Sequence, residues 1–150
     1  MTETATIAPV RKSLRVECSP ERAFEVFTAQ VATWWPTKTH SIHHEAVTDV
    51  ILEPREGGEM YELAEGGKRE HWGRVTAWEP PKRLVLAWHV NPERAGPTEI
   101  EVTFSPEDGA TRVELEHRNW EQAGAGAAEM RDNYDSGWDL VLAPFVEKAR

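Results

Sequence analysis

Histidine 117 is the polar residue in this chain most able to do chemistry. It ends the stretch TRVELEH, where Val113, Leu115 and His117 alternate with Arg112, Glu114 and Glu116. In an extended strand that spacing puts the imidazole on the apolar face. There it either closes a hydrogen bond within the core, with Tyr134 or the backbone as partner, or lines a cavity and serves a ligand as donor, acceptor, acid or base. His40, His43 and His44 form a second cluster, H-x-x-H-H, whose spacing matches no recognised metal site; only Glu45 or Asp49 could complete one, and no metal is expected. Cys18 is the one cysteine, without an assignable base beside it, and reads as a small core residue. The carboxylates are scattered over solvent faces with no pair suited to glycoside chemistry. Gly57-Gly58 and Gly66-Gly67 fall in turns rather than between a strand and a helix, so neither is a phosphate cradle.

Seven tryptophans in 150 residues are the other unusual feature. They can fill a core or line a pocket for a flat apolar molecule, with indole N–H groups to orient it. Composition narrows the partners. Lys and Arg number 17 against 26 Asp and Glu, a net charge of −9. With no basic cluster, neither nucleic acid nor an anionic membrane is an expected partner, and no stretch has the length and apolarity of a membrane span or a secretory signal. One cysteine excludes an internal disulfide and fits a cytoplasmic setting.

The elements that position these residues follow from periodicity. Residues 1–8 read as a frayed start, and Val10, Leu14, Val16 and Cys18 as one face of a strand whose alternation Lys12 breaks. Ser19-Pro20 caps a helix through Ala23, Phe24 and Phe27, followed by a short second helix through Val31, Trp34 and Trp35 that ends at Pro36. Residues 36–46 read as a loop. Strands follow near 47–54, 59–64, 69–78, 83–90, 98–104 and 111–118, separated by Gly and Pro marks that include NPERAGP. Both faces of LVLAWHV are apolar; Leu84, Leu86 and Trp88 are taken as the inward set because they place the largest side chain inside. From about Ala125 to Ala149 the apolar stripe Met130, Tyr134, Trp138, Val141 and Phe145 has helical spacing, with Pro144 predicting a kink near Leu140. A curved antiparallel sheet with one apolar face needs a cover, and the last helix is the element long enough to supply it.

That order of elements resembles the helix-grip, or START-like, fold. Local sequence is similar to the AHSA-type branch, the chaperone-ATPase activators and their small bacterial relatives. The matching stretches are SPERAF (19–24), Gly57-Gly58, GRVTAWEPPKRLVLAW (73–88), TRVELEH (111–117) and SGWDLVL (136–142). The resemblance implies an α+β fold in one domain over 1–150, ordered from about 10 to 149, with about seven antiparallel strands curled around the C-terminal helix. It also implies a cavity between sheet and helix for a small, largely apolar ligand. The expected wall is Trp35, Tyr61, Trp72, Trp88, His117, Met130, Tyr134 and Trp138, with His117 and the tyrosine hydroxyls orienting the ligand. The loop 36–46 and the bend at Pro144 are the expected gate. No catalytic residue and no cofactor is assigned. Two other readings stand beside ligand binding: an enzyme of the same fold (cyclase, dehydratase or hydrolase on an aromatic or polyketide-like compound), and a chaperone-associated interaction module of the stress response. A homodimer is compatible with all three.

Overall fold

The computed structural model describes residues 7–89 and 97–150. The start of the expected frayed segment, residue 90 of the expected strand 83–90, and all but the last residue of NPERAGP lie outside them. The chain runs through strand β1 (Val10–Val16), helix α1 (Pro20–Thr28), a 3-10 turn (Val31–Thr33) and another (His44–Ala46). Six strands follow: β2 (Val47–Leu52), β3 (Glu59–Ala64), β4 (Lys68–Glu79), β5 (Arg83–Trp88), β6 (Thr98–Glu107) and β7 (Ala110–Arg118). Helix α2 (Ala127–Lys148) closes the order. The strands form one antiparallel sheet ordered β1-β7-β6-β5-β4-β3-β2. This is the helix-grip α+β architecture.

Local chemistry explains each element. Ser19 Oγ accepts the Arg22 N–H at 3.2 Å, and Pro20 occupies the first helical position, where its missing N–H costs nothing. The second short helix expected near Trp34 contracts to the single turn Val31–Thr33, because three of its residues are all that precede the two tryptophans and Pro36. Lys12, which broke the alternation of β1, sits on the inward side. Its ammonium reaches the helix, meeting Asp135 at 2.8 Å and Asp139 at 3.0 Å. Partial burial would lower the Lys12 pKa, but the bonds to these two carboxylates outweigh it and raise it. So the misplaced cation ties α2 to the edge strand.

Inward residues of β5, β6 and β7 alternate as their sequences suggest: Leu84, Leu86 and Trp88; Ile100, Val102 and Phe104; Val113, Leu115 and His117 are all buried. One end of the interior is packed solid. Phe24 and Phe27 meet Phe104 edge-on with centroids 5.2 and 5.9 Å apart, and Phe145 of α2 lies 5.2 Å from both Phe27 and Trp34. The outer face carries ion pairs instead. Arg118 joins Glu99, Glu101 and Glu116, and Arg83 joins Glu79 and Glu101. Bonds from Arg118, then Arg83, hold the Glu101 carboxyl below the usual range.

Helix α2 continues as one element through Pro144. Proline removes the partner of the Leu140 carbonyl, and Leu140 is the one large hydrophobic side chain left exposed among the described residues. No helix among them is long and apolar enough to cross a membrane.

Gly73 sets how closely β4 and β5 approach beside the inner tryptophans. It pairs with Trp88, and a Cβ there would sit 2.5 Å from the Ala87 carbonyl oxygen, a backbone atom that cannot swing aside. Gly73→Ala is therefore expected to destabilise the fold by about 1–3 kcal/mol, the usual cost of overpacking. Urea denaturation would measure it, and an unchanged midpoint would contradict the close approach.

Candidate functional site: an indole-walled cavity

At the end opposite the phenylalanines the sheet and α2 separate around a cavity of about 280 Å³. Trp72 of β4 and Trp88 of β5 face it from the sheet, and Tyr134, Trp138 and Val141 face it from the helix. Trp35 closes one side, and His40, Ser41, Ile42, Asn133 and Gly137 complete the lining. The rings of Trp35 and Trp72 are 5.0 Å apart, Trp72 and Trp88 5.8 Å, and Trp35 and Trp138 5.9 Å. Four indoles thus form a continuous aromatic wall.

Every indole N–H in that wall already has a protein acceptor. Trp35 donates to the His40 carbonyl at 2.7 Å, Trp72 to Glu62 Oε1 at 2.7 Å, Trp88 to the Tyr134 hydroxyl at 2.9 Å, and Trp138 to His117 Nδ1 at 3.0 Å. The expectation that indole N–H groups orient a ligand is corrected by this count. What the rings offer the cavity is carbon surface.

His117 is likewise committed. It is fully buried, with its ring centre 4.1 Å from that of Trp120 and tilted to it, and lies behind Trp138 rather than in the cavity lining. Indole is a donor only, so Nδ1 is the acceptor and the ring proton sits on Nε2. Nε2–H then donates to Thr98 Oγ1 at 2.7 Å, and the threonine hydroxyl donates to the Trp88 carbonyl at 3.4 Å. This chain satisfies the imidazole in its neutral form. Burial pushes its pKa down to about 3.

Tyr61 also departs from expectation. In β3 it is Met60, Glu62 and Ala64 that are buried, so Tyr61 lies on the outer face, with the Arg69 guanidinium 3.7 Å above its ring. Met130 packs half-buried against the core but is not part of the cavity lining. Trp35, Trp72, Trp88, Tyr134 and Trp138 are the predicted residues that the cavity brings together.

Two features carry no obvious sequence signal. The first is Glu62, completely buried in β3. Its Oε1 accepts the Ile42 N–H at 2.7 Å as well as the Trp72 indole, and its Oε2 accepts the His43 N–H at 2.9 Å. The segment 36–46, expected as a gate, is therefore fastened to the sheet at its centre. The second is the polarity of the rim. His40 Nε2 and the Asn133 carboxamide line the cavity with no hydrogen-bond partner among the described residues. The histidines of H-x-x-H-H point apart: His40 faces Gly137, and His43 lies 3.5 Å from Glu70. No metal-holding cluster occurs among the described residues. Burial raises the Cys18 thiol pKa, which leaves it unactivated.

The His117 chain sets a pH dependence. The folded state keeps the ring neutral down to about pH 3, whereas the unfolded chain protonates it near 6.5. Its stabilising contribution is complete above 6.5 and shrinks by about 1.4 kcal/mol per pH unit below that. His117→Gln should start less stable at pH 7.5, and its deficit should shrink by about 2 kcal/mol by pH 5. Denaturant titrations at the two pH values measure this; parallel losses in both proteins would contradict it.

Comparison with known proteins gives the lineage. No curated protein matches the chain. Among solved structures, an anthrahydroquino-gamma-pyrone synthase, Txn09, is 34% identical over 95% of this chain and 97% of its own, with a TM-score of 0.63. CalC, a self-sacrificing resistance protein from Micromonospora echinospora, is 29% identical over 95% and 94%, with a TM-score of 0.68. The Aha1 dimer from Colwellia psychrerythraea, at 19% identity over 93% and 98% and a TM-score of 0.62, shares the fold. The family described as activator of Hsp90 ATPase homolog 1-like protein matches residues 17–148, and the chain belongs to that family.

Proposed function

We propose that this protein binds a small, flat, largely apolar molecule between the sheet and α2, with an oxygenated edge at the rim. The observation that carries this is the state of the wall: four indoles whose N–H groups are all taken by the protein, around about 280 Å³ of space. Such a surface gains from dispersion and from removing apolar area from water, at roughly 25 cal/mol per Å². It offers a strongly hydrated solute little beyond the polar groups of His40, Ser41, Asn133 and Tyr134 in its lining. A polar edge of the ligand belongs there, on the side facing solvent. The name of the 34% identical relative, a synthase of an anthrahydroquinone-pyrone compound, supports an oxygenated polycyclic aromatic as the ligand class.

The same relative supports the second reading, an enzyme of this fold. A chaperone-associated interaction module finds less support, since Leu140 is the one large exposed hydrophobic among the described residues. A cytoplasmic setting belongs to the proposal too, supported by the free thiol of Cys18.

Titration with 1,8-dihydroxyanthraquinone, followed by tryptophan emission, tests the cavity. A saturable one-to-one quench is expected. Gly137 lines the cavity, and a Cβ there would meet only the His40 ring, at 3.9 Å. Gly137→Leu should fold at least as stably, since leucine is the better helix former by up to about 1 kcal/mol. It should weaken the quench about tenfold or more by filling the space, in keeping with the sensitivity of packed sites to added volume. Absence of a saturable response, or an unchanged one in the variant, would refute ligand binding at this site.

A further inference from the structure

We infer that a groove between α1 and the β4–β5 turn docks an extended, proline-rich peptide segment with a basic residue beside its prolines. The groove is separate from the cavity, and the two share no lining residue among those described. It encloses about 370 Å³. Glu21, Phe24, Glu25 and Thr28 of α1 form one side; Pro54, just after β2, and Trp78, Pro80 and Pro81, at the end of β4, form the other. Its floor is aromatic, with Trp78 meeting Phe24 edge-on at a centroid distance of 5.0 Å. The Thr28 hydroxyl donates to the Phe24 carbonyl at 2.7 Å, so its proton is not offered to the groove.

Trp78 is the exception among the indoles. Four donate within the cavity wall, Trp34 donates to the Val26 carbonyl at 2.7 Å, and Trp120 donates to the His117 carbonyl at 2.8 Å. The Trp78 N–H meets no acceptor among the described residues. No buried side-chain nitrogen or oxygen among them lacks a partner, so this donor is open to solvent while its ring packs half-buried on the core. Glu21 and Glu25 stand one helical turn apart on the same rim, both exposed. Neither side chain has an ion pair or hydrogen bond among the described residues. The outer face of the sheet differs, because Glu99, Glu101 and Glu116 there are all paired with Arg118. The groove thus joins an apolar floor to one open donor and two open anions.

Those groups set the chemistry of the occupant. A helix spends its carbonyls internally and leaves none along its length for the Trp78 N–H. A strand needs a ladder of partners, and Pro54, Pro80 and Pro81 have no N–H to supply one. A polyproline II segment has no internal hydrogen bonds, so its carbonyls are free to accept from the indole. Its pyrrolidine rings pack on the faces of Trp78, Phe24 and the groove prolines, the usual way aromatic grooves hold such segments. The conformation exists before binding, which keeps the ordering cost low. Arginine or lysine beside the prolines complements Glu21 and Glu25, and the net charge of −9 favours a basic partner over an acidic one. This site stands apart from ligand binding in the cavity and does not depend on it.

The probes are fluorescein-labelled hexaproline peptides with an arginine pair before or after the prolines. Binding is read by anisotropy and by the indole N–H signals of nitrogen-15-labelled protein. Saturable binding of at least one peptide is expected, with the Trp78 signal, identified by its absence from Trp78→Phe, moving most. Trp78→Phe keeps a ring against Phe24 and should weaken binding about three- to tenfold, the range of one lost hydrogen bond. Glu21→Gln combined with Glu25→Gln alters only exposed side chains, so the fold is retained, and should weaken binding about three- to tenfold. Exchanging the peptide's arginines for glutamine should cost the wild type a similar factor and cost that double variant nothing. Lack of saturable binding, a Trp78 signal that stays in place, or full affinity in the glutamine double variant would overturn the inference. Equal binding of a Gly-Ser peptide with the same arginine pair would reduce the contact to charge and overturn it too. Displacement of the peptide by 1,8-dihydroxyanthraquinone would put it in the cavity, and a Trp78 signal that moves with protein concentration alone would put a second copy in the groove; either result refutes the assignment.

Discussion

A single carboxylate holds the cavity end of this molecule in shape. Glu62 has no counter-cation among the described residues; its oxygens accept from two backbone N–H groups and one indole. Those three donors belong to the segment after Trp35 and to β4, which also meet through the Trp35 and Trp72 rings and through His43 beside Glu70. Were the carboxylate replaced by an apolar side chain, two buried N–H groups and an indole would lose their acceptor, at a cost of about 1–3 kcal/mol each. The wall of the cavity, the position of His40 and the docking of the loop therefore share one dependency. It lies on the inward face of β3, where an apolar residue would ordinarily sit.

The rest of the interior divides by chemistry. Phenylalanines, which need no polar partner, pack the end where α1 and the C-terminal half of α2 meet the sheet. Four tryptophans, each of which must place an N–H, wall the cavity, while Trp34 and Trp78 join the phenylalanines. The outer face stays out of the matter: its arginines and glutamates are mutually paired and keep the strands wet on that side.

Periodicity made the frame legible. Strands with one charged face, the stripe through Trp138, Val141 and Phe145, and the cap at Ser19-Pro20 are local patterns, and each appears in the structure close to where the pattern puts it. The site was less readable because its decisive contacts are long-range. In EMYELA either alternate set could face inward, and Tyr61 with Leu63 is the more apolar; a register shift between Met60 and Tyr61, together with the donors that converge on Glu62, selects the other. The partners of the indoles lie 5, 10, 46 and 21 residues away for Trp35, Trp72, Trp88 and Trp138. No window of sequence shows them. His117 stands out by its apolar neighbours, the same property that buries it, whereas His40 lies in a segment without periodicity, which reads as a loop at the cavity mouth and singles out no one histidine.

The bonded wall also constrains how relatives of this chain can diverge. Shortening any one of the four indoles strands an acceptor elsewhere: the His40 carbonyl, Glu62, the Tyr134 hydroxyl or His117 loses a donor. Ile42, Asn133, Gly137 and Val141 border the same space with no side-chain hydrogen bond to the frame. Evolutionary drift in the shape of the cavity thus has an inexpensive route through those four codons and a costly one through the aromatic set, so descendants can reshape the space while the scaffold stays constant.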